Sequence, residues 1–350
     1  MKALTLKGSG YARPTDGGGN FELTTLEPFL TYEEIEEPGL GEGEVRVKVS
    51  LASVNPSDEM FIQGLYGQPR VQGNAAGFEG VGEVIESGGG PIADGLVGQR
   101  VAFVAVPGKP GAWSERAVAV AATCIPLRPD VRDEDGAAMI VNPLTALAMF
   151  DIVRRASEER GGSKAFVISA AASQLCKLMI GIAKDEGFEA IGLVRRDSQI
   201  ELLEGHGAAK VLNTEADGFA KEMAATMREM KPRIFLDAVS NQVSADVFQA
   251  MPKHARWIVY GKLAAEPPVL REPGQLIFMS KQIEGFWLTR WMMEEPLDVK
   301  MRAIQTAQAR FASGEWKTDV TAVVPLSEAM DRLPGELAKP DGKVFIDPAG

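Results

Sequence analysis

The run Ala165-Phe166-Val167-Ile168-Ser169-Ala170-Ala171-Ala172-Ser173-Gln174-Leu175-Cys176 decides the fold. Residues 165–169 open with four apolar side chains, the pattern of a short strand buried on both faces. Small residues follow. From Ser173 the apolar positions recur at helical spacing to Glu186, and Gly187 stops the helix. A buried strand, a tight turn of small residues and an amphipathic helix form the opening unit of a doubly wound parallel sheet.

The same alternation continues C-terminally. Strands are expected at 190–194, 210–212, 234–238 and 257–260, with 286–288 ending the last one. Helices are expected over 200–204, 219–230 and 245–251. The texture before residue 137 differs. Val45, Val47, Val49 and Leu51 alternate with Arg46, Lys48 and Ser50, a half-buried strand. Further strands read at 81–85, 100–106 and 117–120, separated by Gly- and Pro-rich turns such as Gly88-Gly89-Gly90-Pro91. That is a compact, barrel-like β domain. Asn142-Pro143 opens an apolar helix at the change of texture. After Met292 a helix opened by Pro296, with Val299, Ile304 and Ala307 inward, leads to strands at 318–324 and 343–346 around a helix from Leu326. The tail is expected to rejoin the first domain. The domains read as 1–136 with 292–350, interrupted by 137–291.

The totals agree with two domains. The chain has 350 residues, 45% hydrophobic and 24% charged, ordinary values for a soluble globular protein. Its net charge of -11 disfavours a phosphate backbone as partner, so no nucleic acid is expected. Two cysteines, Cys124 and Cys176, and two histidines, His206 and His254, rule out a four-cysteine zinc site and leave a Cys/His-rich one hard to build. No metal is expected, and both histidines read as surface residues. The N-terminus lacks an apolar signal core, and the stretch 165–183 is interrupted by Gln174 and Lys177. A cytoplasmic protein without a membrane span is expected.

In a parallel sheet the ligand binds at the carboxyl ends of the strands. The first such end carries Ala172, Ser173, Gln174 and Leu175, small enough in part for a pyrophosphate to approach the helix N-terminus, with Ser173 as a cap. Gln174 and Cys176 stand where glycines are usual, so a plain strand-to-helix turn remains open. The second strand ends in Arg195-Arg196-Asp197. Two arginines where NAD enzymes place an acid suit the extra phosphate of NADP(H), and Asp197 is a candidate cap for the next helix. Solvated surface arginines are the alternative. Later strand tips, Tyr260-Gly261-Lys262 and Phe286-Trp287-Leu288-Thr289-Arg290-Trp291, are placed to border a nicotinamide, or else to form core or subunit packing.

One segment is more specific: Val54-Asn55-Pro56-Ser57-Asp58-Glu59-Met60-Phe61-Ile62-Gln63-Gly64-Leu65-Tyr66-Gly67. It resembles the zinc-free branch of the medium-chain dehydrogenase/reductases, within it the mitochondrial-type enoyl-thioester reductases. The shared runs are Asn-Pro-Ser-Asp, Ile-Gln-Gly-x-Tyr-Gly, Val141-Asn142-Pro143-x-Thr145-Ala146 and Gly285-Phe286-Trp287-Leu288 to Trp291, in order between about Glu44 and Ile346. In zinc-dependent relatives a Gly-His-Glu run supplies ligands; here it reads Gly77-Phe78-Glu79. The resemblance implies a Rossmann domain inserted in a GroES-like β-barrel domain, NADP(H) as cofactor and a homodimer. It implies Tyr66 as proton donor or polariser of a carbonyl. Asn142, Tyr260, Gly261, Phe286, Trp287 and Leu288 are implied near the nicotinamide, residues 172–175 at the pyrophosphate, Arg195 to Asp197 at the adenosine phosphate, and Lys343 as a further cofactor ligand. The pyrophosphate loop is the departure from the family pattern.

Metal-free chemistry is then sensible. A hydride adds to the β-carbon of an enone or enoyl thioester, and a hydroxyl donor stabilises the charge that builds on the carbonyl oxygen. A phenol, of pKa about 10, hydrogen-bonds more readily than it ionises. Asn55 is a candidate to orient Tyr66 or the nicotinamide, or simply to make a turn. Arg70, Lys109 and Arg290 are candidates for the phosphates of a coenzyme thioester. Two other readings stay open: an NADPH:quinone reductase, and a non-catalytic dinucleotide-binding protein with an altered loop.

Overall fold

The computed structural model describes residues 1–12, 23–159, 162–339 and 342–350. The chain divides into two compact units. One gathers the described residues up to Pro143 with Ile304–Gly350, and the other contains Leu144–Ala303.

The first unit begins with an antiparallel pair, β1 (Lys2–Leu6) and β2 (Leu30–Glu34). Its main strands are β3 (Glu44–Ser53), β4 (Glu79–Ser87), β5 (Arg100–Val104), β6 (Arg116–Val120) and the short β7 (Ile125–Pro126). Short helices α1 (Pro56–Ile62), α2 (Pro91–Leu96) and α3 (Asp133–Ala137) interleave with them. β3 pairs β4, β4 pairs β5, and β6 pairs the first half of β3. An isolated bridge from Ala105 to Ala119 completes the circuit, so the sheet closes on itself. Closure removes the exposed edges that an open sheet of this size would carry.

β3 shows why alternation is a good but incomplete guide. Val45, Val47, Val49 and Leu51 are buried as their period demands. Arg46, on the opposite face, is buried too. Its Nε donates to Glu86 at 2.6 Å and an Nη to the Pro38 carbonyl at 2.9 Å. A buried guanidinium is tolerated because both bonds replace those lost to water.

The second unit opens within α4 (Val141–Glu158) and alternates strictly. It runs β8 (Ala165–Ile168), α5 (Gln174–Asp185), β9 (Glu189–Val194), α6 (Ser198–His206), β10 (Lys210–Asn213) and α7 (Phe219–Met230). It continues β11 (Ile234–Asp237), α8 (Gln242–Ala250), β12 (Arg256–Val259), α9 (Gly274–Phe278), β13 (Gln282–Gly285) and α10 (Leu288–Glu294). Every pairing is parallel, in the order β10-β9-β8-β11-β12-β13. Two halves thus run outward from the β8–β11 boundary, the doubly wound arrangement expected from the sequence. Val167, Ile191, Leu193, Phe235 and Trp257 fill one core with Met223, Met227 and Phe248 from the helices.

Several expected strand ends shift by a residue or more, and two of them carry candidate site residues. The fifth strand stops at Val259, leaving Tyr260 in the loop beyond it. The sixth is Gln282–Gly285, so residues 286–288 lie past it. Trp287 is the N-cap of α10 rather than a strand residue. Aromatic residues favour strands locally, but the ladder pairing of β11, β12 and β13 stops together at Asp237, Val259 and Gly285.

After α11 (Leu297–Ala312) come β14 (Val320–Pro325), α12 (Ala329–Leu337) and β15 (Lys343–Asp347). Of the three positions expected to face inward on α11, Ala307 is buried, while Val299 and Ile304 are half-buried. β15 pairs the end of β3 through Phe345 and Ile346, opposite Ser53 and Ala52. The tail therefore completes the first unit's sheet. Among the described residues, no helix is long and apolar enough to cross a membrane.

Candidate active site

In the second unit, all six strands point their carboxyl ends to one edge. Ala172, Ser173, Gln174 and Leu175, Arg195 to Asp197, Tyr260 with Gly261, and the residues after Gly285 all follow directly on those ends.

At the boundary where strand order reverses, the loops are tied together by Asp237, the last residue of β11. Ser169 Oγ donates to Asp237 Oδ1 at 2.6 Å, and the same Oγ accepts from Ala238 N. The Asp237 carboxylate also accepts from Val239 N, Ser240 N and Trp257 Nε1. Asp237 is fully buried, so its charge is tolerable only because these donors converge on it.

The turn after β8 folds back over β9, with Ala171 N donating to the Leu193 carbonyl. Ala170 takes a positive φ of 48°. Ser173 caps α5 as expected, its side chain accepting from Cys176 N at 3.4 Å. Of the two residues standing where glycines are usual, Cys176 turns inward. Cys176 is fully buried, its Sγ 3.5 Å from the Ser169 carbonyl and 3.4 Å from the Tyr260 hydroxyl. Burial pushes the Cys176 thiol and the Tyr260 phenol above their ordinary values. Behind the turn, thiol and phenol tie the β8 and β12 ends together. Gly261 fits against Ala238, where an added Cβ would meet the carbonyl oxygen at 2.9 Å.

Arg195 and Arg196 are exposed at the tip of β9. Asp197 is the N-cap residue of α6 but not through its side chain. Its Oδ1 accepts from Asn213 Nδ2 at 2.7 Å, which bridges the β9 and β10 ends. The proposed capping bond is thus replaced by a cross-strand one.

In the first unit, Asn55 and Lys343 meet in a buried polar cluster. Asn55 Nδ2 donates to Glu79 Oε1 at 2.9 Å and to Ser53 Oγ at 3.1 Å. Lys343 Nζ donates to Asn55 Oδ1 and to the Val54 carbonyl. Glu79 Oε1 also accepts from Ser53 Oγ, and Oε2 from Ile140 N and Val141 N, at the start of α4 where Asn142 stands. Asp58 accepts from Asn55 N and Phe78 N, the first of these being one half of a capping box on α1.

Burial pulls the Lys343 ammonium below its ordinary value, against the pull of Glu79, Asp58 and Glu59. Burial pushes Asp58 up to about 7. Glu59, raised by burial and then by the neighbouring Asp58, also reaches about 7.

Tyr66 follows α1 and lies on Phe78, ring centroids 5.1 Å apart; Phe61 meets the same Phe78 at 4.9 Å. The loop leading to Tyr66 turns at Gly64, with φ 77°, where a Cβ would meet Arg70 at 2.5 Å. Arg70 clamps this loop through the Gly10 and Ile62 carbonyls, and Lys109 is paired with Glu44 at 3.1 Å. Of the three suggested phosphate ligands, two thus have structural partners; Arg290 is exposed on α10. Among the described residues, no group of three or more His, Cys, Asp or Glu is arranged to hold a metal ion.

Sequence reasoning missed Asp237, Asp58 and Glu59, and read Glu79 only as the neighbour of an absent histidine. An acid set between apolar neighbours, as in Phe235-Leu236-Asp237-Ala238-Val239, was the available signal for a buried, multiply bonded carboxylate.

Comparison with known proteins extends this picture. The alcohol dehydrogenase GroES-like domain model matches residues 41–129, and the zinc-binding dehydrogenase model residues 175–303. A solved structure described as a putative NADPH:quinone reductase from Mesorhizobium loti is 55% identical. It covers 99% of this chain and 98% of its own, with a TM-score of 0.93. The mitochondrial enoyl-[acyl-carrier-protein] reductase of Bos taurus is 28% identical over 316 residues, 87% of this chain and 80% of that protein. The complex of Etr1p with NADP and crotonyl-CoA shares the fold at 20% identity and a TM-score of 0.76, covering 99% of each chain.

Proposed function

The chain belongs to the medium-chain dehydrogenase/reductase family, in its zinc-independent enoyl and quinone reductase branch, and from that premise we propose that it is an NADPH-dependent reductase of carbonyl-conjugated double bonds. Enones, enoyl thioesters and quinones share this acceptor. The observation that carries the proposal is the pair Arg195-Arg196, exposed at the β9 tip beside the small-residue turn of β8. Two guanidiniums suit a ribose phosphate, where an acid would suit the free hydroxyls of NAD.

The residues present fit the dinucleotide. Ala170, Ala171 and Ala172 leave the turn without bulk, and Gly261 keeps the β12 end close to Ala238. The Cys176 thiol turns inward, and Ser173 stands exposed on the turn. The N-terminus of α5 is oriented to favour an anion. Tyr260, Phe286, Trp287 and Leu288 follow the β12 and β13 ends and would wall the nicotinamide.

Bound NADPH would supply a hydride, two electrons with one proton, and the second proton that completes the reduction comes from solvent water. Tyr66 donates a hydrogen bond to the substrate carbonyl oxygen, where negative charge develops. Asn55 and Lys343 act as positioning residues, holding the α1 entry from which the Tyr66 loop departs; Asn142 lies at the nicotinamide end. Relatives described as an NADPH:quinone reductase and as an enoyl-acyl-carrier-protein reductase support both acceptor classes. A homodimer through the free edge of β13 is part of the reading, supported by Ile277, Phe278 and Ile283, all exposed on or beside that strand.

The test is titration with NADPH and NADH by nicotinamide fluorescence, followed by NADPH oxidation with enones, enoyl thioesters and quinones. Tighter NADPH binding with turnover of at least one acceptor is expected. Binding of neither nucleotide would favour a non-catalytic protein with an altered loop.

A further inference from the structure

Cys176 stands where dinucleotide turns usually keep a glycine, and it is fully buried. The turn before it still packs closely on β9. Ala171 N donates to the Leu193 carbonyl, and a Cβ at Gly192 would meet the Ala171 Cβ at 3.0 Å. The thiol has one proton, and the Ser169 carbonyl, 3.5 Å from Sγ, can only accept it. The Tyr260 hydroxyl, 3.4 Å from the same sulfur, is then the donor to it. A directed chain thus runs from the Tyr260 phenol through Cys176 Sγ to the end of β8. Burial pushes both groups up, so both keep their protons at neutral pH.

The main chain around Tyr260 is held on both sides. Its N–H donates to the Asp237 carbonyl at 2.9 Å, and Leu263 N to the Ala238 carbonyl at 3.0 Å. Ser240 Oγ donates to the Gly261 carbonyl at 3.0 Å. With the backbone fixed, the direction of the ring is the freedom left, and the hydroxyl bond to Cys176 restrains it. Tyr260 is half-buried and stands one residue past the end of β12. Its phenol is turned inward while part of the side chain stays open at the carboxyl edge of the sheet, where a dinucleotide binds.

We propose that Cys176 is a positioning residue for the nicotinamide half of the coenzyme, acting through Tyr260, whose ring it holds in one orientation. This rests on the NADPH reading above and deepens it. The pair acts on the half that NADPH and NADH share, whereas Arg195 and Arg196 act on the phosphate that separates them. Loosening the pair therefore weakens both nucleotides by the same factor and leaves their ratio unchanged.

The experiment compares the full-length wild type with Cys176→Ala, Cys176→Ser, Tyr260→Phe and the double variant of Cys176→Ala with Tyr260→Phe. The infrared S–H stretching band of Cys176, identified by its loss in Cys176→Ser, reports the tie without nucleotide and is expected to shift in Tyr260→Phe. Nicotinamide fluorescence titration gives the dissociation constants of NADPH and NADH. Cys176→Ala and Tyr260→Phe are each expected to raise both constants about three- to tenfold, and the double variant no further than either single change. Cys176→Ser keeps a donor and acceptor at this place and is expected to stay within about twofold of wild type. Urea unfolding is followed in parallel. A lowered unfolding midpoint with unchanged nucleotide affinities would mean a purely structural tie and overturn the proposal. Additive effects, a changed NADPH-to-NADH ratio or an S–H band unmoved in Tyr260→Phe would overturn it too. Should Cys176→Ala not fold, Tyr260→Phe decides through the band and the two affinities. Wild type that binds neither nucleotide would sink the coenzyme reading itself, whereas wild type that binds NADPH beside variants of equal affinity sinks this inference alone.

Discussion

Ser169 Oγ donates to Asp237 Oδ1 at 2.6 Å, joining the two central parallel strands at the point where strand order reverses. Asp237 gathers three further donors there, Val239 N, Ser240 N and Trp257 Nε1, in a fully buried position. Asp237→Ala strands all four. A loss of about 3 kcal/mol in unfolding free energy is expected, well above the effect of Ser169→Ala, which removes one donor. Urea unfolding followed by circular dichroism measures both. Equal, small losses would mean that the carboxylate is not the hub.

Arg195 and Arg196 set the coenzyme preference in the proposed function. Replacing both by alanine is expected to weaken NADPH binding about 10- to 100-fold while changing NADH binding little. Fluorescence titration reads both nucleotides on the same protein. Parallel weakening of the two would reduce the pair to general electrostatic attraction.

Tyr66→Phe keeps the ring against Phe78 and removes the hydroxyl. A fall of about 100-fold in kcat is expected, with the NADPH dissociation constant unchanged. Retention of most of kcat would move the polarising donor elsewhere.

Glu59 makes stability depend on pH. Burial, with Asp58 beside it, raises its carboxyl from its ordinary 4.5 to about 7. The folded state therefore holds this proton more tightly than the unfolded chain. Its stabilising effect is fully present below the unfolded value and is lost as pH rises through about 7. Glu59→Gln cannot ionise, so it escapes that loss. Its melting temperature should gain on that of wild type between about pH 4 and pH 8. A constant difference across that range would show that Glu59 has an ordinary affinity for its proton.

Much of the architecture was legible because it rests on local periodicity. The run from Ala165 through Cys176 announced a strand, a turn and a helix, and the alternation that followed fits one parallel sheet. The strand ends were less legible. Trp257 and Phe286 look equally strand-like, yet hydrogen bonding to the neighbouring strand, a non-local matter, decides where each strand stops.

By itself the sequence determined which side chains exist at each strand tip, the arginine pair after β9 and the small residues after β8, because tips follow from hydrophobic pattern and chain order. It also determined that a four-cysteine zinc site cannot be built, because the chain has two cysteines. Only the tertiary structure decided that Cys176 turns inward to Tyr260, 84 residues away, and that Lys343 meets Asn55 across 288. Both contacts pair polar groups buried far apart in sequence. Such groups are stable only where folding brings donor and acceptor to the same dry place, and no local pattern encodes that meeting.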